Sequence, residues 1–204
     1  IAVAVSKDGY TGWEYTMVNF FDDYSDKLTE KESASFIDSV IVQNSKGRIF
    51  IIADAYPHGC GYLQSKTGTG YSLIDGKKRM LLTKGNGSDK LSSFGYYISD
   101  FEDDLAPVCD RKSLEKTEYA VDREFRLYRN GEPVYTKQKG SEDVSVQQNV
   151  FYASSELQNY KTTYLWLRYS DENGKTWSAP KILSDAVKSE KESFLGVGPG
   201  RGAV

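Results

Sequence analysis

The run YLWLRYSDENGKTW at 164–177 limits this chain more than any other stretch. Its first six residues are aromatic, branched or otherwise suited to a half-buried pleated surface, the composition of a strand. Asn173-Gly174 follows at once and is a strong signal for a tight turn between antiparallel strands. Ser170, Asp171 and Glu172 can accept hydrogen bonds from the turn's own N–H groups, and Trp177 can fold its ring back over the hairpin. The same strand–turn–strand grammar recurs elsewhere. IAVAV at 1–5 ends in SKDG, and FIDSVIV at 36–42 and RIFIIA at 48–53 flank QNSKG. YSLI at 71–74 and RMLLT at 79–83 flank Asp75-Gly76, and FRLY at 125–128 and PVY at 133–135 flank Asn130-Gly131. No segment carries a 3.6-residue apolar period, although 186–193 allows a single helical turn. The fold class read from these patterns is all-β.

The chain has 204 residues, enough for one domain or one domain with an insertion. Its character changes along its length. Residues 1–70 carry long apolar strands, 71–147 carry shorter strands with dense Asp and Lys, and from 148 the longer runs return. Three parts are therefore expected, 1–70, 71–147 and 148–204, with the middle one a small β-rich insertion. The polar stretch 22–33 and the Gly-rich stretch 56–70 read as loops. The chain lacks an initiator Met and begins and ends inside apolar runs, so it is expected to be an internal fragment.

Several function classes fall away. A net charge of −3 gives no electrostatic reason to expect nucleic acid or an anionic membrane as partner. No apolar run approaches the roughly 18 residues of a membrane span. His58 is the only histidine, so neither a two-histidine metal cluster nor a histidine triad with a second histidine can form; it reads as a loop residue. Cys60 and Cys109 lack C-x-x-C spacing, and a disulfide or two free thiols both remain open. DFEDD at 100–104 lacks calcium-loop spacing and reads as a solvated face. GVGPGRG at 196–202 lacks the spacing, lysine and following helix of a phosphate loop, so it reads as a backbone turn, with Arg201 as a loop or surface residue. Asn86-Gly-Ser88 is a glycosylation sequon, without meaning if the source is bacterial. No cofactor and no metal are expected.

The segment 170–177 closely resembles the Asp-box, S-x-D-x-G-x-T-W, of sialidase-type β-propellers, with Glu172 in the usual Asp place. SKDGYTGW at 6–13 resembles a degenerate second copy, keeping Ser6, Asp8 and Trp13 but holding Tyr10 and Gly12 where Gly and Thr are usual. SFIDSVIVQ…GRIFIIAD at 35–54, GYSLIDGKK at 70–78 and SFLGVGPG at 193–200 are similar, in the same order, to segments of the large bacterial exo-α-sialidases with an inserted β-domain. The resemblance implies part of a six-bladed propeller carrying that insertion, and a secreted or cell-surface protein acting on sialylated glycans.

A terminal sialic acid carries a carboxylate on its anomeric carbon. That charge calls for arginines and disfavours a carboxylate nucleophile. The family uses a tyrosine nucleophile paired with a glutamate, and an aspartate as acid/base. By resemblance these groups and the arginine triad fall outside 1–204, so no catalytic residue is expected within the chain. The substrate-binding candidates are Ile37 and Asp38 of the F-I-D motif and Phe194 of F-L-G, with Asp54 and Tyr56 on the same rim. Asp38 is expected to accept hydroxyl hydrogen bonds from the sugar, and Ile37 to pack its acetyl methyl. Ser39 stands where Pro is usual, so the local backbone is open to difference. Three alternatives stand beside hydrolysis: intramolecular transfer of the sialic acid, a non-catalytic Asp-box propeller that binds carbohydrate, and a β-sandwich lectin.

Overall fold

The computed structural model describes residues 1–18, 33–85, 90–137 and 145–202. Most of the polar stretch 22–33, the sequon at 86–88 and the final Ala203-Val204 lie outside the described residues. The described chain is all-β apart from one helical turn and two 3₁₀ turns. In order its strands are β1 (Ala2–Val5), β2 (Glu14–Met17), β3 (Ser35–Gln43), β4 (Ile49–Tyr56), β5 (Tyr71–Ile74), β6 (Lys77–Lys84), β7 (Tyr96–Ile98), β8 (Leu105–Asp110) and β9 (Lys116–Asp122). They continue as β10 (Leu127–Arg129), β11 (Glu132–Pro133), β12 (Tyr135–Lys137), β13 (Ser145–Gln147), β14 (Leu157–Asn159), β15 (Tyr164–Ser170), β16 (Lys181–Ile182) and β17 (Gly200–Arg201), with helix α1 (Ser184–Val187) between the last two.

Two sheets carry the architecture. The first has the order β16-β15-β4-β3-β17. Its four strands from β3 to β16 are antiparallel, and β17 joins in parallel, Gly200 beside Val40 and Arg201 beside Ile41. Arg201 therefore belongs to a strand, because the segment after Gly196 delivers its backbone to the free edge of β3. The second sheet runs β11-β10-β9-β8-β7-β6-β14, with β5 also on β6. All of its strands lie in sequence between β4 and β15, and β14 returns beyond residue 147 to pair with β6. Strands β1 and β2 form a separate hairpin.

Tight turns appear where the dipeptides called for them. Asp75-Gly76 and Asn130-Gly131 connect β5 to β6 and β10 to β11, with φ of 50° and 74°, and 52° and 83°, the left-handed pair that a two-residue hairpin needs. Asn173 and Gly174 adopt the same conformation after β15.

The core forms between the two sheets. On β4, Ile51, Ala53 and Ala55 are buried on one face; Trp166 and Tyr164 of β15 lie opposite Ala53 and Ala55. Small residues on β4 make room for the two large rings beside them. Trp166 meets Phe36, Phe125 and Phe151 at centroid distances of 5.3, 5.4 and 5.3 Å, and Phe151 also meets Tyr164 at 5.3 Å. Phe125 and Phe151 belong to the β4–β15 excursion, so this aromatic cluster cements the second sheet onto the first. Beside it, buried Arg168 is held by Glu124 and by the Ser178 carbonyl, at 3.0 Å.

Helix α1 starts at Ser184, upstream of the expected turn at 186–193. The buried Ser184 hydroxyl accepts the Leu165 N–H at 2.7 Å, fixing the helix start against β15. No helix is long and apolar enough to cross a membrane among the described residues.

Candidate functional site

The sequence-derived candidates converge where β3, β4 and the segment after α1 meet. Ile37 lies directly opposite Asp54 across the β3–β4 pair, and Ser35 opposite Tyr56. The register then shifts between Ile37 and Val40, and Asp38 takes a φ of 53°. This bulge breaks the ladder and turns Asp38 out of line, a common device for re-aiming a side chain. Ile37 and Asp38 are both exposed.

Asp54 and Tyr56 sit beneath that surface, not on its rim. Both are fully buried. The Val197 N–H donates to Asp54 Oδ1 at 2.8 Å, tying the post-helix segment to the end of β4. Asp54 Oδ2 is buried without a hydrogen-bond partner. Burial pushes the Asp54 carboxyl up to about 6, against the pull of the Val197 N–H; the charge of Asp38 pushes in the same direction as burial. Burial likewise raises the Tyr56 phenol to about 12, helped by Asp54, Cys60 and Asp38. These mutual influences put Asp38, Asp54 and Tyr56 in one electrostatic neighbourhood.

Phe194 closes the group. It is half-buried, and its ring packs edge-to-face with Tyr62 at 5.0 Å. A Cβ on Gly196 would collide with Asp54 Oδ2 and with the tip of the Phe194 ring, and would sit 2.9 Å from Asp54 Cγ. Glycine at 196 is therefore what allows the Phe194 ring and the Asp54 carboxyl to approach the same backbone atom. Sequence reading did not single out Tyr62, and it took Gly196 only as the start of a backbone turn. Phe194 lies far from Tyr62 along the chain, as Asp54 does from Gly196, and only the 62–64 turn and the return after α1 bring them together.

Other candidates resolve simply. Cys60 and Cys109 are both free thiols, and burial raises that of Cys60. His58 is in a turn as expected but is buried, its Nε2 3.1 Å from Gln158 Oε1. The acidic run at 100–104 is exposed and ion-paired: Asp100 contacts Lys77 at 2.7 Å and Arg79 at 2.6 Å, and Glu102 contacts Lys116 at 2.6 Å. No group of three or more potential metal ligands occurs among the described residues.

The two serine- and acid-rich turns hold themselves together and lie beside each other, lining one cleft with Val5, Glu14 and Ile49. Asp8 Oδ1 accepts the Tyr10 and Thr11 N–H groups at 2.8 Å each, and its Oδ2 accepts the Thr11 hydroxyl at 2.7 Å. Those bonds, led by the Thr11 N–H, hold Asp8 well below the usual carboxylate range. In the second turn Ser170 Oγ accepts the Gly174 N–H at 2.8 Å, and the Thr176 hydroxyl donates to Glu172 at 3.1 Å. Asp171 points elsewhere and pairs with Arg48 on the β3–β4 hairpin through bonds of 2.6 and 2.8 Å.

The relatives of this chain are sialidases, and the likeness runs along nearly its whole length. An anhydrosialidase from Macrobdella decora is 32% identical over 99% of this chain, and sialidase B of Streptococcus pneumoniae serotype 4 is 26% identical over 99%. Among solved structures, an intramolecular trans-sialidase from Ruminococcus gnavus, in complex with oseltamivir carboxylate, superposes with a TM-score of 0.83 at 31% identity, covering 99% of this chain and 45% of its own. A leech intramolecular trans-sialidase complexed with 2,7-anhydro-Neu5Ac gives 0.83 at 30% identity, covering 99% of this chain and 32% of its own. The chain spans 29% and 31% of the two curated relatives' lengths. No family model matches.

Proposed function

We propose that this chain is part of an exo-α-sialidase that removes terminal sialic acid from glycoconjugates through a tyrosine nucleophile lying outside residues 1–204. The likeness to sialidases over 99% of the chain carries this reading. In it, the β3–β4–β15–β16 sheet is one blade of a six-bladed propeller, the β1–β2 hairpin belongs to a neighbouring blade, and the strands between β4 and β15 are an inserted domain. The serine-acid turns act as Asp-boxes on the rim away from the sugar. Asp38 accepts sugar hydroxyls, Ile37 and Phe194 flank them with apolar surface, and Asp54 and Tyr56 support the pocket from below. The protein works outside the cell or on its surface, where sialylated glycans are found.

Intramolecular transfer is favoured over hydrolysis as the outcome. The relatives that share 30–32% of positions are an anhydrosialidase and two intramolecular trans-sialidases, against 26% for sialidase B. Incubating the whole protein with 3′-sialyllactose and weighing the products separates the readings. An anhydro sugar lacks one water relative to free sialic acid; free sialic acid as the only product selects hydrolysis. Binding of the sialoside without turnover selects a non-catalytic propeller, and neither binding nor turnover removes the sialidase reading.

A further inference from the structure

Lys188 follows α1, and only 5% of it is exposed. Its ammonium donates to Thr162 Oγ1 and lies 3.1 Å from Thr163 Oγ1, 3.1 Å from the Ser193 carbonyl and 3.4 Å from the Thr163 carbonyl. None of these four oxygens is charged. The threonines immediately precede β15, and Ser193 immediately precedes Phe194. Each hydroxyl has a second partner. Thr162 Oγ1 lies 2.7 Å from the Lys66 carbonyl and 2.9 Å from that of Gly68, while Thr163 Oγ1 accepts the Leu195 N–H at 3.3 Å. One cation thus joins three separate segments, 66–68, 162–163 and 193–195.

Burying an ammonium is unfavourable unless its protons are matched. Burial does pull this one down to about 8, while Cys60, Glu190 and Glu192 act the other way. It is therefore still mainly protonated at neutral pH, with three protons shared among four oxygens. Hydroxyl and carbonyl oxygens converging on one point are also the ligands that a hard cation takes. We propose that Lys188 is a tethered cation: it occupies a small oxygen cage and thereby positions the 193–197 segment, which carries Phe194 and the Val197 N–H that holds Asp54. The effect on sugar binding rests on the sialidase reading; the effect on the segment does not.

The test is Lys188→Ala in the whole protein that contains this chain, read by hydrogen exchange of the 193–197 amides against those of β15. Exchange at 193–197 should rise by about tenfold or more with β15 unchanged. Ammonium or potassium chloride at about 100 mM should restore protection by filling the cage, while tetramethylammonium chloride, too large to enter, should not. Lys188→Met, which fills the space with apolar atoms, should be as unprotected as the alanine variant and should not respond to salt. Free sialic acid affinity should fall and recover in step. Failure of both small cations to rescue the alanine variant, or wild-type protection in the methionine variant, overturns the proposal. If the alanine variant loses β15 protection as well, Thr162→Val, which removes a cage oxygen that accepts from none of the 193–197 amides, decides: faster exchange at 193–197 supports the cage and unchanged exchange overturns it. A wild-type whole protein that ignores sialic acid removes the sugar-pocket reading, while the exchange measurements still decide the role of Lys188.

Discussion

Asp38 and Asp54 lie on neighbouring strands, and burial separates their chemistry. Asp38 is exposed on a bulge, where a carboxylate can accept hydroxyls, so Asp38→Ala in the whole protein should lower kcat/KM for a sialoside by roughly 10- to 100-fold, the equivalent of one or two charged hydrogen bonds. Unaltered kinetics would remove it from the pocket. Asp54 is sealed under Gly196, and its carboxyl is raised to about 6 from an ordinary 3.8. The fold therefore holds that proton more tightly than the unfolded chain does. Its contribution is complete below about pH 3.8 and is lost as pH rises through about 6. Asp54→Asn is neutral throughout and can still accept the Val197 N–H. The Tm of this variant should decline less between about pH 4 and about pH 7 than that of wild type; parallel curves would show that Asp54 does not titrate in this range. The F-I-D and A-D pairs could be read directly from the sequence. Which aspartate would face water could not, because burial of Asp54 depends on a segment about 140 residues later.

At the level of elements, hairpins were the most legible part of the chain. Asp75-Gly76 and Asn130-Gly131 each form the expected two-residue hairpin, since the left-handed backbone there depends on the residues themselves; Asn173-Gly174 takes the same backbone but inside the longer 171–180 connection from β15 to β16. The turn at 6–13 kept its hydrogen bonding despite an altered motif, because Thr11 supplies the hydroxyl and N–H that Asp8 needs. The strap from α1 to Val197 was not legible. Its bonds to Thr162, Thr163 and Asp54 are all distant in sequence, and no periodicity announces them. Gly196 is the tightest point of the strap. Gly196→Ala must push aside the Phe194 ring or the Asp54 carboxyl and should cost about 1–3 kcal/mol in chemical denaturation. A variant of wild-type stability would mean that the strap moves freely.

Across the whole molecule, the second sheet opens at β5 and β6 and takes in β14 as its last strand. Strand β14 at Leu157–Asn159 pairs with β6 and is buried throughout, although Gln158 and Asn159 are polar, so apolar runs alone do not mark it. The common core of the two sheets rests on Phe36, Phe125, Phe151, Tyr164 and Trp166. Phe151→Ala opens a hole in the middle of this cluster and should cost about 3–5 kcal/mol, lowering the unfolding midpoint as one transition. Two separated transitions would mean that the sheets unfold independently. The second sheet leaves from the end of β4 and comes back at the start of β15, where Tyr164 is paired directly with Ala55. Entry and exit are therefore neighbours, and a turn of roughly two residues would suffice to splice β4 onto β15 and excise everything between. Such a splice would be easy on the backbone and hard on the side chains: it would strip the lid from the Trp166 face and leave an oily plane in search of another molecule.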